Sequence, residues 1–166
     1  MRLIIDGYNL LSEISGGMPT DLEAGRDYLI ESLSVYKRVR RVKIIAVFDA
    51  TRTGRLTGSA GMKTGVDVVF TKAGQEADEV IRDFCRRLGE GATIVTSDAA
   101  LAAVCKNSGA VVVSSGEFRG LLDAALYEDM KGAAPEDEED FPHEKKGQAK
   151  RPSKAERKKL QRLKKL

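Results

Sequence analysis

Residues 2–49 open on RLIID (2–6), close on KIIAVFD (43–49) and hold DLEAGRDYLIESLSVYKRVR (21–40) between them, and these three runs read as strand, helix, strand. The two outer runs are short, apolar and β-branched, as strands buried on both faces are, and each stops on an acid. In the middle run Asp21 stands where a helix cap is expected, and Leu22, Leu29, Leu33 and Tyr36 recur on one side. Two strands joined by a helix lie parallel in a covered sheet, so this stretch predicts an α/β fold.

The same alternation continues outward. VDVVF (66–70), TIVT (93–96) and Ala110–Val113 read as further strands. A helix is predicted from about Gln75 to Leu88, with Ala77, Val80, Ile81, Phe84, Cys85 and Leu88 as its apolar stripe and Gly89 as its stop. Two more are predicted over about 98–106 and 116–130. The expected architecture is an α/β fold with a central parallel sheet flanked by helices, plus a basic C-terminal tail. Residues 51–65, TRTGRLTGSAGMKTG, carry no apolar period and are predicted to be loop. Loops beyond about 12–15 residues tend to be functional, which makes Arg52, Arg55 and Lys63 candidate substrate contacts; a mobile loop with incidental charge is the other reading.

The chain has 166 residues, 42% hydrophobic and 32% charged, the size of one domain with an appendage. The predicted organisation is a domain over 1–131, an acidic linker over 132–144 and a basic tail over 145–166. Net charge is only +3, yet residues 1–135 carry 17 Lys and Arg against 18 Asp and Glu, residues 136–140 are EDEED, and residues 142–166 carry 11 basic residues against two Glu. That polarity suggests a polyanionic partner. The tail cations Lys145, Lys146, Lys150, Arg151, Lys154, Arg157, Lys158, Lys159, Arg162, Lys164 and Lys165 are the candidate contacts to it. Ser153 followed by Glu156 is a capping-box signature, and Leu160 and Leu163 lie one turn apart, so the tail is expected to form a short helix on meeting a partner while staying apart from the folded domain. A solvated tail, or one folded back on EDEED, is the competing expectation.

No run reaches the roughly 18 apolar residues of a membrane span, and the N-terminus lacks a signal-peptide cleavage pattern, so neither spanning nor secretion is expected. Cys85 and Cys105 sit in helical apolar runs and read as buried thiols, which fits a reducing cytoplasm.

The chemistry is suggested by acids at strand ends and helix starts. Asp6 and Asp49 close the first two strands, Asp98 follows the strand at 93–96, and Glu76 and Asp78 open the helix after VDVVF. Ligands of open α/β sheets bind beyond the carboxyl ends of the strands, where the strand order reverses, and all five acids belong to that edge. Converging carboxylates repel unless a cation neutralises them, and oxygen-only donors select hard ions such as Mg²⁺ or Mn²⁺. Helix capping by Asp98 and dipole complementation by Glu76 and Asp78 is the alternative.

Taken together, IIDGYNLL at the start, FDA after the second strand, QEADEVI opening a helix and VTSDAAL after the later strand resemble the YacP-like NYN domain, a branch of the PIN-like nucleases. The resemblance implies a three-layer PIN-like, Rossmann-like α/β fold with a central parallel sheet and a metal-dependent ribonuclease site made of acids. It places Asp6, Asp78 and Asp98 as metal ligands with Glu76 beside them, puts the Asn9 amide at the site, and leaves Asp49 and Ser97 to the outer shell. RNA as substrate, free or presented on a ribosome, comes from this resemblance alone. A non-catalytic RNA- or ribosome-binding module of the same fold is the competing expectation, since a basic tail gives affinity whether or not the domain cuts.

Other phosphate chemistries lack their motifs. A haloacid-dehalogenase-like phosphatase needs a second Asp at position 8, which is Tyr8; a dinucleotide site needs a Gly-rich turn where only Gly7 stands; and no GxxxxGK[ST] occurs, so no nucleotide cofactor is expected. With 5% aromatics and no Trp, stacking platforms for bases are few. Tyr8 is the aromatic expected against RNA, unless it packs beneath the sheet edge.

Overall fold

The computed structural model describes residues 2–50, 58–132 and 153–164. Six strands, β1 (Arg2–Asp6), β2 (Lys43–Phe48), β3 (Ser59–Lys63), β4 (Val66–Phe70), β5 (Ala92–Val95) and β6 (Val111–Val113), form one sheet in the order β3-β4-β2-β1-β5-β6. All neighbours pair in parallel except β3 with β4. Successive strands step outward from β1 through β2 and then to β5 on its other side, so the order reverses between β1 and β5.

Helices cover both faces. Leu3 and Ile5 of β1 join a core with buried residues of α1 (Gly7–Ser15), α2 (Leu22–Arg40) and α5 (Ser115–Lys131), while Ile4 joins one with α3 (Ala77–Leu88) and α4 (Ala99–Asn107). The period-two alternation of a single strand thus feeds two apolar layers. Cys85 and Cys105 are buried free thiols in the second of these cores. None of the described helices is long and apolar enough to cross a membrane.

Local chemistry sets the boundaries. Asp21 caps α2 by accepting from the N–H groups of Glu23 and Ala24, both at 3.0 Å. Ser114 and Glu117 close a capping box at the start of α5. The structure adds α1, which starts directly on Asp6 and ends at Gly16 with φ of 67°, left-handed backbone that glycine adopts without strain. Gly7 has a stricter reason to be glycine: a Cβ there would overlap the ring of Phe48, itself fully buried. Gly7→Ala is expected to cost about 1–3 kcal/mol through overpacking, read as a lower denaturant midpoint, because the Phe48 ring has no room to retreat.

Two expectations are corrected here. Residues 59–63 are not loop but edge strand β3, antiparallel to β4 through a two-residue turn in which Thr64 and Gly65 both take positive φ, 49° and 84°. All five residues of β3 are exposed, so no apolar alternation announces it. The tail, expected to stay apart from the domain, carries a helix α6 (Lys154–Leu163) that packs along β6. Its capping box forms as expected between Ser153 and Glu156. Leu163 lies against the first core while Leu160 faces outward, 52% exposed. Lys158 donates to Glu90 Oε1 at 2.7 Å, Arg162 to the Glu90 carbonyl at 2.6 Å, and Lys159 to Glu117 at 2.7 Å. An open sheet edge is a site of unwanted pairing, and α6 covers the one at β6.

Candidate active site

The strand reversal brings the first and last acids of the motif set side by side. Asp6 ends β1 and N-caps α1; Asp98 N-caps α4 just after β5, with its Oδ1 accepting from the Leu101 N–H at 2.7 Å. Thr96, buried between them, donates its hydroxyl to Asp6 Oδ2 at 3.2 Å and accepts from the Asp98 N–H at 3.1 Å. Glu76 N-caps α3 without a capping bond from its side chain, and Asp78 sits in the first turn. Asp6, Asn9, Asp49, Glu76 and Asp78 line one open cavity of about 380 Å³ together with Tyr8, Ser12, Met18 and Ala77. Asp98 stands exposed beside that lining.

The charges act on one another across this space. Burial, first, and the carboxylates of Asp78 and Asp98 push Asp6 up from 3.8 to about 6, against hydrogen bonds from the Asn9 N–H and Thr96 that favour the charged form. Asp78 is raised too, chiefly by burial and then by Asp98, with Glu76 and Asp49 adding to it and Arg82, 3.5 Å away, opposing. All five acids are therefore within electrostatic reach of this cavity.

Their donor atoms are all oxygen, which suits Mg²⁺ or Mn²⁺. Among the described residues no three or more Asp, Glu, His or Cys side chains stand close enough together to hold a metal ion between them as they are placed.

Asn9 is held from both sides. Its Oδ1 accepts from the Ser97 N–H at 2.9 Å and from the Ser115 hydroxyl at 2.6 Å, and an N–H can only donate, so the amide oxygen must point there. The Asn9 NH₂ is thereby left as a donor at the cavity. Ser97, itself exposed, accepts from the Ser115 N–H at 3.1 Å and braces this arrangement. Ser115, fully buried, lies outside the motifs, and Thr96 lies within VTSDAAL without a role read from it; the fold shows that they position Asn9 and Asp6.

Tyr8 is 6% exposed and packs edge-on to Phe48 with centroids 5.4 Å apart, so it takes the place beneath the sheet edge; its hydroxyl accepts from Arg26 Nη1 at 2.9 Å. Lys63 lies on β3 in an ion pair with Asp27 at 2.7 Å. Arg52, Arg55, Lys145, Lys146, Lys150, Arg151, Lys165 and the acidic linker lie outside the described residues. Of the remaining tail cations, Lys158, Lys159 and Arg162 are turned to the chain's own acids and carbonyls, and Lys154, Arg157 and Lys164 share their helix or its end.

Comparison with known proteins follows the same lines. The model of the YacP-like NYN domain matches residues 3–165. The uncharacterized protein YacP of Bacillus subtilis (strain 168) is 32% identical over 104 residues, which make up 58% of this chain and 59% of that protein, so the match spans less than two thirds of that curated relative. The crystal structure of Rae1 (YacP) from Bacillus subtilis aligns with a TM-score of 0.67 at 25% identity, covering 80% of this chain and 79% of that one. A variant of the same protein aligns with a TM-score of 0.65 at 24% identity over 78% and 79%, a likeness of fold.

Proposed function

The chain belongs to the YacP-like NYN domain family, whose fold is of the PIN-like nuclease type, and from that premise we propose that it is a divalent-metal-dependent endoribonuclease. The observation that carries this reading is the gathering of Asp6, Asp78 and Asp98, with Glu76 and Asp49, at the strand reversal, with Asp6 pushed up to about 6. A buried carboxylate among other carboxylates is held at a cost that a cation relieves.

Asp6, Asp78, Asp98 and Glu76 would hold Mg²⁺ or Mn²⁺. When bound, the ion supplies charge stabilisation to the phosphoryl oxygens. The chain's own residues do the rest. Thr96 and the Asn9 backbone N–H fix the Asp6 carboxylate, and the Asn9 NH₂ donates to a phosphate oxygen in the cavity. Glu76, whose carboxylate is not committed to its helix, accepts a proton from the water whose oxygen bonds to phosphorus, while the P–O bond to the departing oxygen breaks and that oxygen takes a proton from solvent. Met18, 40% exposed, gives this polar cavity one apolar wall. RNA, free or on a ribosome, is the proposed substrate and partner, in the cytoplasm.

The test is cleavage of end-labelled RNA and DNA of one sequence with Mg²⁺, with Mn²⁺ and with chelator. The proposal expects RNA to be cut internally with either ion and to survive in chelator. Binding without cutting under every ion would leave a non-catalytic RNA-binding module instead.

A further inference from the structure

No Lys or Arg stands in the lining of the acidic cavity, so a polyanionic strand must find its cations beside it. Of the described basic side chains, Arg26 is committed to the Tyr8 hydroxyl and the Phe70 ring, and Lys63 to Asp27. Arg82 differs. It stands on α3 one turn beyond Asp78, and its Nη2 meets Asp78 Oδ2 at 3.5 Å. Among the described residues that long contact is the one hydrogen bond its guanidinium makes, and its Nε is buried without an acceptor. The side chain as a whole is 37% exposed, so solvent and ligand reach it. Its charge acts on Asp78 of its own helix and on Cys105 of α4, which sets it toward the seam between α3 and the helix that Asp98 caps.

An (i, i+4) ion pair is ordinary on a helix and contributes little where it is exposed. This one is unusual because its acid has a second claimant: Asp78 is among the carboxylates that would hold the metal ion. A cation at Asp78 repels the guanidinium and competes for the same oxygens. Arg82 is then left with a planar fork of N–H donors and no described acceptor, at the edge where the strand's charge arrives. Such a fork matches the paired oxygens of a phosphate, in two bonds where Asp78 takes one. A contact of this kind holds the backbone of the strand without reading its bases.

We propose that Arg82 is a substrate-binding residue, which leaves Asp78 when a metal ion takes that carboxylate and grips a backbone phosphate of the RNA on the α3 side of the acidic cavity. The inference rests on the nuclease reading for the metal ion. It makes metal and RNA binding cooperative, since the cation frees the guanidinium that the strand needs. It also gives a place in the site to a residue that follows QEADEVI directly and lies outside every motif of the resemblance.

The competing role is a brace that only holds Asp78 for the metal, and the two roles move metal affinity in opposite directions. Mn²⁺ uptake by the full chain is read by electron paramagnetic resonance without RNA. Binding of a short, end-labelled single-stranded RNA is read by anisotropy over a range of KCl in saturating Ca²⁺, with the strand checked intact afterwards. Arg82→Gln is expected to take up Mn²⁺ about threefold more tightly, because a fixed positive charge has left the acids. The same variant should bind RNA about tenfold more weakly, with the slope of log affinity against log salt shallower by about 0.7, the share of one phosphate. Arg82→Lys keeps a point charge for that phosphate and should retain the slope. Weaker Mn²⁺ uptake by Arg82→Gln, an unchanged salt slope, or a slope lost equally in Arg82→Lys overturns the proposal. A native chain that takes up no Mn²⁺ overturns the nuclease reading and this exchange with it, whereas Mn²⁺ uptake with an unaltered slope defeats the exchange alone.

Discussion

Asp6→Asn, Asp78→Asn and Asp98→Asn are each expected to lower metal-dependent RNA cleavage about 10²-fold or more, a loss comparable to removing one preorganised charge-stabilising group from an active site. Asp6→Asn carries a second signature that a bystander would not show. In the metal-free protein its folded pKa is about 6 against 3.8 for the ordinary carboxyl, so the folded state holds this proton more tightly than the unfolded one. The contribution of Asp6 to stability is therefore largest below pH 3.8, falls as pH rises toward 6, and is flat above, for a total on the order of 3 kcal/mol. Asn cannot ionise, so the metal-free variant should melt higher than the native chain at neutral pH and lose that advantage in acid. The gain will be less than the full penalty, because the new amide nitrogen cannot accept the Thr96 hydroxyl bond that Asp6 Oδ2 accepts. Thermal melts across pH in chelator, set beside cleavage rates with Mg²⁺, make the check. Native rates in all three variants would move the site elsewhere.

The acids were legible in the sequence because each is anchored to an element that announces itself. An apolar β-branched run ends at Asp6, another before Asp98, and an amphipathic stripe begins after Glu76, so a parallel sheet carries all three to one edge. What escaped depends on contacts distant along the chain. Ser115 reaches Asn9 from 106 residues away, and Thr96 reads as one more β-branched residue until β1 is placed beside it. α1 is hidden for a local reason: it follows β1 without a loop, so its start coincides with the DGYN motif and reads as site instead of helix. β3 is exposed on both faces, and its strand character comes from pairing with β4 and from the turn at Thr64 and Gly65. The tail helix itself was legible from its capping box, but its docking was not. Lys154, Lys158 and Arg162 recur every four residues as solvated cations would, and only the fold sets Glu90 against them.

That docking predicts the behaviour of the tail. In a pure tether, Glu90→Lys in the full chain would leave the fold alone and bind RNA at least as well, since every tail cation remains and one is added. With α6 packed on β6, the new lysine would face Lys154, Lys158 and Arg162, whose charges act on Glu90 in the native chain, and the helix should leave. Its departure uncovers the edge of β6 and the core contact of Leu163. The variant is therefore expected to melt several degrees lower and to self-associate in a concentration-dependent way, because an uncovered strand edge pairs with its like. A chain ending at Gly132 should behave similarly. Lys158→Glu added to Glu90→Lys restores an opposite pair at the 2.7 Å contact and should recover much of the lost stability, more so at low salt, since this pair is exposed and screened. Lys159 holds Glu117, two residues from the Ser115 that braces Asn9, so loss of the helix should also slow cleavage while the acids stay in place. Sedimentation, thermal melts at two salt concentrations and cleavage of a short RNA read these three effects. A Glu90→Lys protein that stays monomeric with the native melting temperature would return α6 to the role of a tether.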